Sequence, residues 1–160
     1  MFWKKLTFLS FGLWALSVGA FLYLFIVGTG TKVDNRTEIL LLPSERELVL
    51  GEMRQLLEGV RGIIGGVAAE DKSAIASSAR AVGMQMAVDV NPALMAKLPK
   101  AFKELGMGTH RRFDELADRV HSLSGKEVLQ ETHAIMGSCI GCHVTYKINE
   151  ARTKASSPTF

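Results

Sequence analysis

Hydrophobic positions along this chain follow two different patterns. From Leu6 to Gly28, apolar and small residues run for 23 residues without a charge. A run of that length is enough to cross a bilayer as a helix. A polar stretch from Gly28 to Thr37 and a short apolar group, Ile39-Leu40-Leu41-Leu42, come next. The group is expected to pack on the body or on a membrane surface. The pattern then turns periodic. Leu50, Met53, Leu57, Val60, Ile64 and Val67 follow in steps of three and four, widened by Val49, Leu56 and Ile63. That is one buried stripe on a helix. Ser44 and Glu47 match a capping box at its start, and it should end near Ala69.

Asp71 is placed to cap a second helix over 72–88, interrupted by Gly83 at a cost of about 1 kcal/mol relative to Ala. Asn91-Pro92 breaks the chain. Residues 93–105 are helical in character but divided by Pro99, and Gly106-Met107-Gly108 is a second break. Thr109 can cap a third helix over 110–122, with Phe113, Leu116, Ala117 and Val120 inward. Ser124 and Glu127 form another capping box, opening a fourth helix from Gly125 to Ile148. No β-strand signal is convincing. The pattern predicts an all-α fold, a four-helix bundle, preceded by one transmembrane helix. Residues 1–30 are the anchor, 31–43 a linker, 44–150 the bundle domain and 151–160 a polar, frayed tail.

Charge locates the body. Lys4 and Lys5 precede the apolar run, which puts the N-terminus in the cytoplasm and the body outside. A cleaved signal peptide is the rival reading, with Val18-Gly19-Ala20 as a passable site. The apolar run continues through Phe21 to Ile26, however, and is longer than a usual signal core. Either way the body is exported. With 19 basic and 16 acidic side chains in the whole chain, and Lys4 and Lys5 set aside, the body is close to neutral. No basic face points to nucleic acid.

The chemistry is concentrated in Cys139-Ile140-Gly141-Cys142-His143, which holds both cysteines of the chain. C-x-x-C-H is the attachment signature of a c-type haem. Two thiols reach the two vinyl groups of one porphyrin, and the next residue offers an imidazole to the iron. Cys139 and His143 are four apart and share a helix face, and Gly141 keeps the backbone slim there. A zinc ribbon would need further cysteines, and there are none. A thioredoxin-like pair would open a helix after a strand, whereas this pair falls late in a helix. Nothing resembles a nucleophile–base pair or paired catalytic carboxylates, so an enzyme is not expected.

A C-x-x-C-H late in the last helix of a four-helix bundle resembles the class II cytochromes c, the cytochrome c′ family. The likeness runs over residues 44–148 and includes the continuation Val144-Thr145-Tyr146-Lys147. It implies one covalent haem c on Cys139 and Cys142, with His143 as the proximal ligand and Lys147 near a propionate. The family places an Arg four residues before the side chain that faces the iron; here Arg46 precedes Leu50 at that spacing, and Met53 lies one turn on. If Leu50 caps the iron, the haem is five-coordinate and binds only small gases such as nitric oxide or carbon monoxide. If Met53 ligates, the iron is six-coordinate and suited to electron transfer. A thioether within reach of an open iron position has strong reason to bind, which favours Met53. His110 and His121 read as surface or capping residues, His133 as out of reach of the far side of the ring, and Arg111-Arg112 as a solvated face. Met84, Met86, Met95 and Met107 read as core or contact residues. The resemblance also implies a homodimer through the first two bundle helices.

The resulting expectation is a monohaem electron carrier in the bacterial inner membrane. It would be single-pass through residues 6–28, with its haem domain in the periplasm and redox partner proteins in the membrane or periplasm. Two alternatives stand beside it: a gas-binding buffer or sensor, and a haem subunit of a larger respiratory complex.

Overall fold

Pro43 starts the first body helix, because its fixed φ suits a first helical position and its missing N–H is not needed there. The computed structural model describes residues 2–28, 30–87 and 91–151, of which most are helical. The elements are α1 (Phe2–Val27), β1 (Gly30–Val33), β2 (Arg36–Leu41), α2 (Pro43–Ala68), α3 (Lys72–Ala81), α4 (Met84–Ala87), α5 (Pro92–Lys97), α6 (Lys100–Arg119), a 3₁₀ turn (Val120–Ser122), α7 (Gly125–Thr145) and β3 (Tyr146–Glu150). In the body α2 packs on α3, α3 on α6, α6 on α7, and α7 back on α2.

The core seam of α2 holds only part of the predicted stripe, at Val60 and Val67. Val49, Val60 and Ile63 are buried, whereas Leu57 and Ile64 are 68% and 47% exposed. Small residues turn the helix. Cβ atoms added at Gly59 and Gly66 would come within 2.5 Å of Val82 and 2.6 Å of Ile75, so α3 lies close against that face. The seam is therefore Val49, Leu56 and Ile63 together with Val60 and Val67, and Leu50 and Met53 fall on its flank, half-buried. The start of α2 also differs. The Glu45 carboxylate, not a Ser44–Glu47 box, accepts the Leu42 N–H at 2.9 Å.

Asp71 caps α3 as expected, accepting from the Ala74 N–H at 2.9 Å. The helix stops at Ala81 rather than 88, and residues 88–90 lie outside the described part. Gly83 sits against the Asp114 carboxylate, where a Cβ would collide, and Asp114 accepts the Met84 N–H at 2.8 Å to start α4. Pro99 forces Leu98 into an extended conformation and separates α5 from α6.

The expected break at Gly106-Met107-Gly108 is absent: α6 runs through it. Each glycine costs about 1 kcal/mol in a helix interior, but burying Phe102, Phe113 and Leu116 gains about 1.5–3 kcal/mol apiece. Burial wins. Thr109 is accordingly no cap; its hydroxyl donates to the Leu105 carbonyl at 2.8 Å. The box at the start of α7 is present, with the Ser124 N–H donating to Glu127 at 2.7 Å.

Two further departures frame the site. The expected linker over 31–43 holds a β-hairpin, and the end of the fourth helix is a strand. β1 pairs antiparallel with β2 across Asp34 and Asn35, both at positive φ, as a two-residue turn between twisted strands requires. β3 joins β2 in parallel, from Thr37 opposite Tyr146 to Leu41 opposite Glu150. Ile39 and Leu41 are fully buried in a cluster with Val49, Leu94, Leu98 and Phe102, flanked by Met53, Cys142 and Tyr146. Beyond Ala151, the expected frayed tail lies outside the described residues.

The segment Thr7–Val27 of α1 is long and apolar enough to span a membrane. Its C-terminal end rests on the body. Gly28, at φ +70°, ends the helix where a Cβ would come within 2.7 Å of Pro99 N. Lys103 Nζ donates to the Phe25 carbonyl at 2.7 Å and lies 3.8 Å from the centre of the Phe25 ring.

Lys97 bonds both oxygens of Glu45, at 2.6 and 2.8 Å. That bond holds the Glu45 carboxyl below its ordinary value of 4.5. The folded state thus binds this proton more weakly than the unfolded chain, so the stability is complete above pH about 4.5 and fades as pH falls. Glu45→Gln should lower Tm at neutral pH by a few degrees, about 1 kcal/mol. In thermal melts followed by circular dichroism, the gap to the parent should close as the pH falls below about 4. A gap independent of pH would contradict this role for the pair.

Candidate functional site

Cys139, Cys142 and His143 lie in the last two turns of α7 and line one cavity of about 570 Å³. That volume is within the range of small-molecule and cofactor sites. The opposite walls come from α2, through Leu50, Met53, Leu56 and Val60, and from α6, through Phe102, Leu105, His110 and Phe113. His143 is exposed at the outer lip, and both thiols are half-buried.

The thiols are set up to stay protonated. Burial pushes Cys142 up to about 11, with Cys139 beside it adding to the effect. Burial also raises Cys139, whose Sγ donates weakly to the Ile135 carbonyl at 3.8 Å. A redox-active or metal-binding thiol is instead stabilised as thiolate. Among the described residues, no group of three or more His, Cys, Asp or Glu side chains is gathered to hold an ion by itself. An iron centre here would therefore have to bring most of its own ligands. A porphyrin does so, and the residues present fit it: two adjacent thiols, an imidazole at the rim and apolar walls. Gly141 has open space where a Cβ would stand, which leaves room at the backbone.

Leu50 and Met53 both reach the cavity. Arg46 instead faces Glu150 of β3 at 3.9 Å, and Lys147 pairs with Asp34 of the hairpin turn at 3.4 Å. Neither lines the cavity. The reason is the end of α7: from Tyr146 the chain is extended, so Lys147 follows the strand. Arg111 and Arg112 are exposed, as expected of a solvated face, but Arg112 is also bonded. It donates to the Ala134 carbonyl and the Ser138 hydroxyl, both at 3.2 Å, which ties α6 to α7 immediately before Cys139. His121 and His133 are exposed.

The residue that the sequence reading passed over is His110. It is 5% exposed, and its Nδ1 lies 2.8 Å from the Val82 carbonyl. Glu52 is close by; burial raises its carboxyl, and His110 partly offsets this. The assumed helix break put His110 at a solvent-facing start. Its signal was the spacing Phe102, Gly106, His110, Phe113, one face of an unbroken helix. A second cavity, of about 480 Å³, shares Glu52, Phe102 and His110 with the first and is lined also by Met86, Met95 and Met107.

With Cys142 raised to about 11, alkylation of the haem-free protein by iodoacetamide at pH 7 should be roughly ten- to a hundredfold slower than that of a model thiol, because the thiolate is scarce. The rate should climb through strongly alkaline pH. A rate profile with its midpoint at pH about 8.5 would mean an unperturbed thiol.

Protein-family models, curated proteins and solved structures were all compared with this chain, and none matches it.

Proposed function

We propose that this protein is a membrane-anchored monohaem cytochrome c of the class II, four-helix-bundle kind, carrying single electrons on the periplasmic side of a bacterial inner membrane. One observation supports the reading above others: Cys139, Cys142 and His143 face a single apolar cavity between α2, α6 and α7. Haem would supply a one-electron iron couple. The chain's own residues would do the rest. Cys139 and Cys142 would each add S–H across one vinyl group, which tethers the cofactor with no leaving group, and burial keeps both thiols protonated beforehand. His143, exposed at the lip of the same cavity, would offer its imidazole to the iron. Leu50, Met53, Phe102 and Phe113 exclude water, which limits the solvent reorganisation that accompanies a change of charge.

The anchor supports the same reading. Lys4 and Lys5 favour a cytoplasmic N-terminus. Gly28 and Lys103 hold the end of α1 against the α5–α6 turn, so the cavity travels with the membrane and meets partners in or at that surface. A five-coordinate module for nitric oxide or carbon monoxide is the competing reading, and the place of Leu50 in the lining favours it.

Full-length protein matured in a host that attaches haem c, purified in detergent, should keep a haem stain on denaturing gels. The stain should be lost in Cys142→Ser. Its ferric and ferrous spectra should be low-spin, with a reversible one-electron titration and no rapid carbon monoxide adduct. A high-spin ferrous form that takes up carbon monoxide without displacing a side chain would favour the gas-binding module instead.

A further inference from the structure

Resting on the haem reading above, we propose that His110, through Nε2, is the sixth ligand to the iron, opposite His143. The geometry of the imidazole carries this. Its Nδ1 is 2.8 Å from the backbone carbonyl of Val82, an oxygen that can only accept. Nδ1 therefore carries the proton, and Nε2 presents a lone pair. Val82 terminates α3, where carbonyls lack a partner within the helix, so this bond satisfies both groups and fixes the ring.

Nε2 opens on cavity space. His110 makes its hydrogen bond through Nδ1, and among the described residues no solvent-shielded side-chain nitrogen or oxygen lacks a partner. A nitrogen with no bonded neighbour is thus in contact with open space, and the space beside His110 is that of the two cavities which share Glu52, Phe102, Gly106 and His110; the larger of them is the one that Cys139, Cys142 and His143 also line. A histidine with one ring N–H on a carbonyl and the other nitrogen free is the arrangement found at metal-ligating histidines, where the outer bond sets tautomer and orientation.

Gly106 explains the room. Side chains on a helix lean towards its N-terminus, so the ring of His110 stands over Gly106. A Cβ added there would meet nothing within 4 Å, and Gly106 lines the same cavity. The two imidazoles also come from different sides: His143 sits exposed at the rim and His110 is buried in the inner wall. Met53 lines the cavity too, half-buried against the apolar cluster that includes Phe102, so its thioether is the competing ligand that the spectra must exclude. Two nitrogen ligands also imply a lower potential than Met–His ligation, since an axial methionine raises it.

Near-infrared magnetic circular dichroism and electron paramagnetic resonance on full-length ferric holoprotein in detergent micelles test this directly. The expected result is a low-spin, two-imidazole signature with no thioether–iron charge-transfer band. Met53→Ala should leave that signature intact. His110→Ala should lose it completely to a high-spin form, and added imidazole should restore it. A thioether band in the parent protein, or a low-spin signature that survives in His110→Ala, would overturn the assignment of His110, as would a high-spin parent. Should His110→Ala fail to accumulate, the parent spectrum decides alone. The covalent haem stain separates the two levels: a stained parent with the wrong ligand signature removes His110 only, and an unstained parent removes the cytochrome reading with it.

Discussion

The change from helix to strand at Tyr146 is the constraint on which the site depends. The Tyr146 N–H closes the last turn of α7 on the Cys142 carbonyl, and Tyr146 and the four residues after it pair with β2. The Tyr146 ring meets Phe102 edge-on, with centroids 5.3 Å apart. The segment carrying both thiols is therefore fixed at two points, by its helix and by the strand beyond it. Phe102 belongs at once to this contact and to the cavity wall. The buried pair Ile39 and Leu41 seals the same end. Without the hairpin, the last turn of α7 would lose the apolar floor against which Cys142 is buried, and with it the desolvation that keeps the thiol protonated.

Electrostatic ties gather near that end too. Lys97 of α5 clamps Glu45 in the first turn of α2, and Lys103 of α6 holds the last turn of α1. Burial lowers the Lys103 ammonium below its ordinary range, but the carbonyls of Phe25 and Met95 still accept from it. The α5–α6 turn thus joins three things: the exit of the apolar helix, the start of α2 and the wall of the cavity. A short, docked connection of this kind sets the orientation of the body to the apolar helix more firmly than a free linker would.

Much of this was legible in the chain, and the failures have physical causes. Caps announce themselves locally, so Asp71 and the Ser124–Glu127 box were readable. C-x-x-C-H is a local motif as well, and Leu50 and Met53 came from the family resemblance, through the spacing from Arg46. What sequence reading cannot weigh is tertiary burial against local cost. Gly106 and Gly108 look like a break until Phe102, Phe113 and Leu116 are known to be buried together, and that same error hid His110. The alternation of Ile39 and Leu41 with exposed neighbours was the strand signal, too short to stand out beside a polar stretch. Lys147 was placed by the family resemblance, whereas here α7 ends two residues earlier and Lys147 follows the strand.

The most direct test of the central claim is the intact mass of the full-length protein, matured where haem c is attached. The expected result is one population heavier by a single haem, with the added mass on the peptide containing Cys139 to His143. An unmodified mass, or a mass lower by two hydrogens from a Cys139–Cys142 disulfide, would contradict it.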